Sequence, residues 1–450
     1  MSHYKPYPAY KDSGVEWIGR VPEHWSIAPL KIVAQVVNGA TPESGNPDYW
    51  DGDIAWFTPA DLDNENATEL AEPRRKITVD GLASCAARLT QAGSVVLSTR
   101  APVGSVGVTA TPSATNQGCR TLVPVSGVPP RLLAEALIAA RSELTLRSNG
   151  TTFQELSTDS LASLRLPLPP RAEQSAIAAF LDRETARIDA LIVKKTRFIE
   201  LLKEKRSALI THAVTKGLDP NVKMKDSGVE WLGEIPTHWL VAQLGKISIA
   251  RCDGPFGSGL KSEHYQPDGV RVIRLQNIGW ASFKDGNEAF ISHEHWQDVL
   301  GYGHEVLPND VLIGGLGDDK NPLGRACVAP ANLGPAMVKA DCYRFRLNKS
   351  RAVSEFIALA LSATARSECG YLATGATRDR LNLGLASARV VALPPRNEQV
   401  GIVASLDRDT ACIDLLSEKT ERSIDLLKER RSSLITAAAT GQIDLRGEIA

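Results

Sequence analysis

Residues 169–215 read PPRAEQSAIAAFLDRETARIDALIVKKTRFIELLKEKRSALITHAVT, and residues 394–440 read PPRNEQVGIVASLDRDTACIDLLSEKTERSIDLLKERRSSLITAAAT. The two align without a gap at an offset of 225, with 29 of 47 positions identical. A shared taste for Leu, Glu and Lys does not produce identity at that level. The stretch is a duplication, and a repeat governs the reading of everything around it. The first copy has no Gly or Pro after Pro170 and is rich in helix formers. Its apolar residues recur in a 3-4 rhythm: Leu181, Ile188, Ile192, Ile199, Leu202, Leu209 and Ala213. The second copy repeats it with Leu406, Ile413, Ile424, Leu427, Leu434 and Ala438. That spacing describes a heptad seam, interrupted by Lys195 and Arg206 and widened by Phe198, Leu201 and Ile210. Each copy predicts a rod about 60 Å long, too long for one small domain to bury, and such a rod pairs most naturally with its twin.

A second element is also doubled. KDSGVEW occurs at 11–17 and at 225–231, an offset of 214. Both copies run on to a Pro, His and Trp: Pro22, His24 and Trp25, then Pro236, His238 and Trp239. Asp-Ser-Gly reads as a turn. The tryptophans read as anchors that pack this arm onto the long helices, and the histidines as packing residues rather than bases or ligands. The two offsets differ by 225 − 214 = 11, so the material between arm and helix is 11 residues longer in the second copy. The frame is kept while the inserts have drifted, as expected if the frame serves one constant partner and the inserts two different targets.

The inserts, near 26–168 and 240–393, mix short apolar runs with Gly, Pro, Asn and Asp clusters, which predicts mixed α+β domains. Residues 310–315 (DVLIGG) stand where 94–99 (SVVLST) stand in the first insert, and 340–347 (ADCYRFRL) match 118–124 (GCRTLVP). Gly375 aligns with Gly150 at the helix offset. The inserts therefore read as one fold, diverged. The organisation expected is arm and first domain at 1–168, a long helix at 169–217, second arm and domain at 218–393, and a closing helix and tail at 394–450.

The composition is that of an ordinary water-soluble chain: 450 residues, 43% hydrophobic, formal net charge −1. There is no run of about 18 apolar residues to span a membrane, and the opening MSHYKPYPAYKDSG lacks the apolar core of a secretion signal. The seven cysteines (Cys85, Cys119, Cys252, Cys327, Cys342, Cys369 and Cys412) form no CxxC pair, which suits reduced thiols in the cytoplasm and neither disulfides nor zinc. The near-neutral balance neither demands nor excludes nucleic acid.

Catalytic motifs are wanting. No Gly-x4-Gly-Lys-[Ser/Thr] phosphate loop is present. Residues 256–259 (FGSG) resemble a fragment of an S-adenosylmethionine loop without its strand–turn–helix context, and 321–324 (NPLG) lacks the aromatic end of an adenine methyltransferase motif. His293 and His295 flank Glu294 without a third ligand at useful spacing. No cofactor is expected.

Taken together, the YKDSGVEWIG opening, residues 41–50 (TPESGNPDYW), GPFGSGLK followed by VIRLQNIG, the twofold LPPR-x-EQ lead into long helices, and the closing TGQIDLR are specific. The chain resembles, over nearly its whole length, the specificity subunits of type I restriction–modification systems. The resemblance implies two target recognition domains, each reading one half of a split double-stranded DNA site. It implies duplicated helices that pair antiparallel as a coiled coil, giving an internal pseudo-twofold repeat. It also implies two methyltransferase subunits docked on the helices and restriction subunits reached through them, with the chemistry left to those partners. Antiparallel pairing relates the two readers by an approximate twofold axis, mirroring the duplex.

Base edges are read by Arg, Lys, Asn, Gln, Ser or Thr on exposed loops. The candidates are Thr99, Arg100, Asn116, Gln117 and Arg120 in the first insert, and Lys261, Arg274, Gln276, Asn277, Lys320 and Arg378 in the second. Two other classes stay open from the residues alone. One is a self-contained restriction–modification enzyme, against which the missing motifs speak. The other is a coiled-coil scaffold whose inserts bind protein.

Overall fold

A computed structural model describes residues 4–63, 68–100, 102–148, 155–256, 259–301, 303–318, 320–372 and 380–448. The chain divides into two compact units, Met1–Thr196 with Glu421–Ala450, and Arg197–Thr420. Each unit holds one arm, one mixed α/β domain and one half of each long helix.

The duplicated stretches form helices Arg171–Lys216 and Arg396–Ala439, of 46 and 44 residues. Within each unit the helix halves pair antiparallel. In the first unit, the start of the first helix lies by Trp25, which the turn at Gly441 also meets, and Asp189 meets Arg431. In the second, Arg206 meets Asp414 and Gly217 lies by Glu398. Most of the predicted seam is inside: Leu181, Ile188, Ile199, Leu202, Ala213, Leu406, Ile413, Leu434 and Ala438 are buried, while Ile192, Leu209, Ile424 and Leu427 are half-buried. Ile210 is buried as well, whereas Phe198 and Leu201, expected to widen the stripe, are exposed. A pair of helices has one seam, and these two residues fall outside it.

In the first unit a five-stranded sheet carries Ala34–Asn38, Cys119–Pro124, Val95–Ser98, Val106–Thr109 and Thr68–Leu70 in that order. The first four run antiparallel and the last pairs parallel. Strand Val95–Ser98 is buried on both faces. Val95 and Leu97 point toward Leu133 and Leu137 of helix Pro130–Ala139, while Val96 joins Ala55, Phe57 and Cys119. The period of two thus splits one apolar run between two cores. A second sheet sets Trp50–Phe57 between Ser113–Thr115, parallel, and Arg75–Ile77, antiparallel. Strands Ser26–Pro29 and Arg165–Leu168 pair at the base of the domain.

The second unit repeats the plan. Ser248–Cys252, Cys342–Leu347, Val311–Gly314 and Ala326–Val328 lie in the same antiparallel order as the first four strands above. Val311 and Ile313 face Phe356, Ile357 and Leu361 of helix Ser354–Leu372, and Leu312 faces Ile273, Val338 and Cys342. Val270–Ile273 pairs parallel with Ala336–Val338, matching the parallel pair of Trp50–Phe57 with Ser113–Thr115 in the first unit. Leu240–Gln243 and Val390–Leu393 repeat the pair at the base. The two inserts share one fold, as the sequence matches imply.

The arms are doubled hairpins, Tyr10–Asp12 with Arg20–Pro22 and Met224–Asp226 with Glu234–Pro236. Their turns are closed by Asp12 and Asp226, which accept the amides of Gly14 and Gly228. Both glycines sit at positive φ, where an L side chain is strained. Each arm is tied to a long helix by one glutamate. Glu173 accepts from the Trp25 Nε1–H at 3.0 Å and the Tyr7 hydroxyl at 2.9 Å, and meets His24 Nε2 at 2.7 Å. Glu398 accepts from Trp239 at 3.0 Å and meets His238 at 2.8 Å.

Candidate nucleic-acid interface

In the first domain Thr99, just past strand Val95–Ser98, lies beside the loop that precedes Cys119. Thr99 is fully buried; its amide and hydroxyl both donate to the Gly118 carbonyl, and its own carbonyl accepts from Leu156. Thr99 therefore locks two loops together from behind. Asn116 does similar work, accepting the Gly118 amide at 3.0 Å. Three candidates reach the outside. Arg100 is exposed and its Nη2 donates to Glu155 at 3.3 Å. Gln117 is exposed and accepts the Thr41 hydroxyl. Arg120 is half-buried, with Nε on Thr158 at 3.1 Å and Nη1 on the carbonyls of Gln117 and Cys119. Burial lowers the Arg120 pKa, Glu155 raises it and Arg100 lowers it again, so the three charges share one field. Arg100, Gln117 and Arg120 stand together, with Thr41 and Glu155 as partners the motif reading passed over.

In the second domain the candidates are more spread. Strand Val270–Ile273 ends in a tight turn, Leu275–Asn277. Asn277 is 1% exposed; its oxygen accepts the Arg274 amide and its amide group donates to the carbonyls of Lys284 and Gly286. The equivalent turn of the first domain, Pro59–Asp61, is closed the same way by Asp61 on the Thr58 amide. Asn277 thus holds a turn that both domains build. Arg274 is half-buried and spends Nη2 on the Asn287 carbonyl. Gln276 is exposed and lines a cavity of about 550 Å³ with Lys284, Asn287, Asp318 and Asn321, floored by Arg325. Arg325 is buried and donates to the carbonyls of Ile278, Leu275 and Leu316. Lys320 is exposed on the same loop, its amide held by Asp318. Lys261 is exposed on a separate turn beside Glu263. Arg378 lies outside the described residues.

Arg380, which motif reading did not select, is described and exposed. Its Nε and Nη2 donate to Asp341 Oδ1 at 2.9 and 2.8 Å, and its guanidinium lies 5.5 Å from the Phe256 ring. A signal was available: 155 + 225 = 380, so the helix offset carries Glu155 onto Arg380. The structure agrees, since Arg100 bridges to Glu155 as Leu316 bridges to Arg380. Beside this pair Asp253 is raised to about 6 by burial first, with Asp341 raising it and Arg380 lowering it.

Among the described residues no group of three or more His, Cys, Asp or Glu is arranged to hold a metal. His295 instead stacks at 4.0 Å on His264 and meets the Gly259 carbonyl. Residues 257 and 258 of the FGSG segment lie outside the described residues. Asn321 belongs to a turn whose amide is held by Asp318. No helix among the described residues is long and apolar enough to cross a membrane.

The model of the type I restriction modification DNA specificity domain matches residues 22–201. That span runs from the arm through the first mixed α/β domain into the first long helix. The MjaIX specificity subunit of Methanocaldococcus jannaschii is 32% identical over 235 residues, 51% of this chain and 53% of that one. The StySPI specificity subunit of Salmonella potsdam is 22% identical over 332 residues, 72% of this chain and 68% of that one. Over the matched residues the chain is similar to the specificity subunits of type I restriction–modification systems. It aligns with about half the length of the MjaIX subunit and about two thirds of the StySPI subunit. Two solved structures share the fold of this chain. One comes from work on complex assembly and conformational transition of the type I restriction–modification system, with a TM-score of 0.71, 16% identity, and 93% of this chain and 98% of that one covered. The other is the HsdS subunit of Thermoanaerobacter tengcongensis, with a TM-score of 0.56, 16% identity, and 96% and 100% covered.

Proposed function

We propose that this chain is the DNA sequence-recognition subunit of a type I restriction–modification complex. It reads a bipartite double-stranded target, one half-site per recognition domain, at a separation fixed by the paired helices. The observation that carries this is the repeated strand order in two domains attached to one duplicated helix. Two like readers in one chain suit the symmetry of a duplex. The loops bring Arg100, Gln117 and Arg120 together in one domain and Gln276 and Lys320 in the other, side chains able to contact base edges and phosphates.

The chain itself is non-catalytic in this reading, works in the cytoplasm, and needs no cofactor. Two methyltransferase subunits dock on the helices, and restriction subunits join through them. Exposed leucines recur at the repeat offset, Leu191 with Leu416 and Leu201 with Leu426, since 191 + 225 = 416 and 201 + 225 = 426. Twice-copied apolar side chains left open to water suit a partner that binds twice.

A gel shift at moderate salt, with and without the modification partner, tests the reading. Sequence-dependent retardation is expected with the partner present; none on any duplex overturns it. Methyl transfer by the purified chain alone would equally overturn the non-catalytic assignment. Deleting eleven residues, about three turns, from a long helix should change the spacer between half-sites while leaving both half-site sequences unchanged.

A further inference from the structure

At one matched place each domain presents an arginine held by a carboxylate. In the first domain Glu155 holds Arg100, and in the second Asp341 holds Arg380. The positions are crossed. Glu155 and Arg380 occupy the same site in the repeat, as do Arg100 and Leu316, because the bridges 100–155 and 316–380 are equivalent. Asp341 corresponds to Gly118: the Gly315 amide donates to the Asp341 carbonyl as the Thr99 amide donates to that of Gly118. The two domains thus arrive at a held arginine on the same edge by different residues.

The hold on Arg380 is specific. Both Nε and Nη2 meet one oxygen of Asp341, which leaves the remaining N–H groups of Nη1 and Nη2 directed elsewhere. Phe256 lies over the guanidinium. The Asp341 backbone is set at φ 63, which Asp tolerates. Arg389, deep in the same unit, is the contrast. It is fully buried and spends Nε, Nη1 and Nη2 on Glu368 and the carbonyls of Gly324 and Leu361. Arg389 is structural, whereas Arg380 is exposed with donors to spare.

We infer that Arg380, oriented by Asp341 and Phe256, reads a guanine in the major groove of the second half-site, and that Arg100, oriented by Glu155, does the same in the first. A planar guanidinium matches the O6 and N7 acceptors of guanine in a bidentate fork. Pre-orientation spares the entropy of fixing a long side chain. This assignment rests on the DNA-reading function proposed above.

The test uses the full chain with its modification partner. The wild-type target is fixed first by mapping methylated sites in a host, and binding is then measured against every base at each target position. R380A should lose about 5- to 150-fold of the preference for guanine at one position of one half-site, with the other half-site untouched. R380K keeps the charge but not the fork, and should lose the preference almost as fully. D341N should weaken the preference at the same position while leaving the salt dependence of binding as it was. Equal loss on all sequences with a shallower salt slope would make Arg380 a phosphate contact and overturn the assignment. So would an R380K variant that discriminates like wild type. A wild-type complex with no sequence preference would remove the DNA-reading function and this assignment together.

Discussion

Arg431 of the second long helix clasps Asp189 of the first, with Nε on Oδ1 at 3.0 Å, and the same contact recurs as Arg206 on Asp414 at 3.0 Å. The pairs are copies, because 189 + 225 = 414 and 206 + 225 = 431. In the heptad reading Arg206 interrupts the seam; here it and its copy are what each helix uses to grip the other. The environments differ. The Arg431 side chain is 7% exposed, and that of Arg206 is 33% exposed. D189A should therefore cost about 1–3 kcal/mol by leaving Arg431 without its partner in a buried setting. D414A should cost under about 1 kcal/mol, because its partner is a third exposed and can turn to water. Urea unfolding of the two variants checks the ranking, and equal losses would refute it.

Glu173 is the single acceptor for Trp25 and Tyr7 and the partner of His24, and it is 8% exposed. Among the described residues Glu398 anchors Trp239 and His238, without a counterpart of Tyr7. Replacing Glu173 by Ala leaves buried donors unanswered, at about 1–3 kcal/mol. The loss should exceed that of E398A. Limited proteolysis provides the readout: E173A should expose the first arm to cleavage before any other segment, and a protected arm would contradict the clamp.

Much of this was legible in the sequence for one physical reason. A helix that must present the same seam twice keeps its identities at constant spacing, so residues 169–215 and 394–440 declared themselves. The shared domain fold was visible too, since SVVLST and DVLIGG must each feed two cores in alternation. Direction was not legible. Thr99 and Asn277 have the residue types of base readers, yet they spend their groups on backbone behind the loops. Nothing in residue type tells a polar group that closes a turn from one that meets solvent. Phe198 and Leu201 show the same limit for apolar groups. Arg380 was hidden because its partner, Asp341, lies 39 residues away on another strand end.

The pair Arg389 and Glu368 is buried and fully engaged, with Glu368 also accepting the Val390 amide at 2.6 Å. The matched position in the first domain is Leu164, since 389 − 225 = 164, and Leu164 is equally buried. R389L should cost about 3–5 kcal/mol, because it strands a buried carboxylate. The double variant R389L with E368A removes that charge and should recover part of the loss. Chemical denaturation of both tests this, and a double variant less stable than the sum of its parts would rule it out.

Asp253 supplies a pH dependence. Burial pushes its carboxyl up to about 6 from 3.8, with Asp341 adding to the rise and the Gly254 amide and Arg380 opposing it. A folded pKa above the unfolded one means that the folded state holds the proton more tightly. The resulting stabilisation is full below about 3.8 and is lost as pH rises through about 6. At neutral pH the folded domain carries a carboxylate that would rather be in water. D253N removes that charge, so it should stabilise the protein above pH 6, by on the order of 1 kcal/mol after allowance for solvent screening. The gain should shrink steadily between pH 6 and pH 4. Melting temperatures of wild type and D253N across that range give the answer. A gap that stays constant with pH would show that the asparagine acts through packing and not through the missing charge.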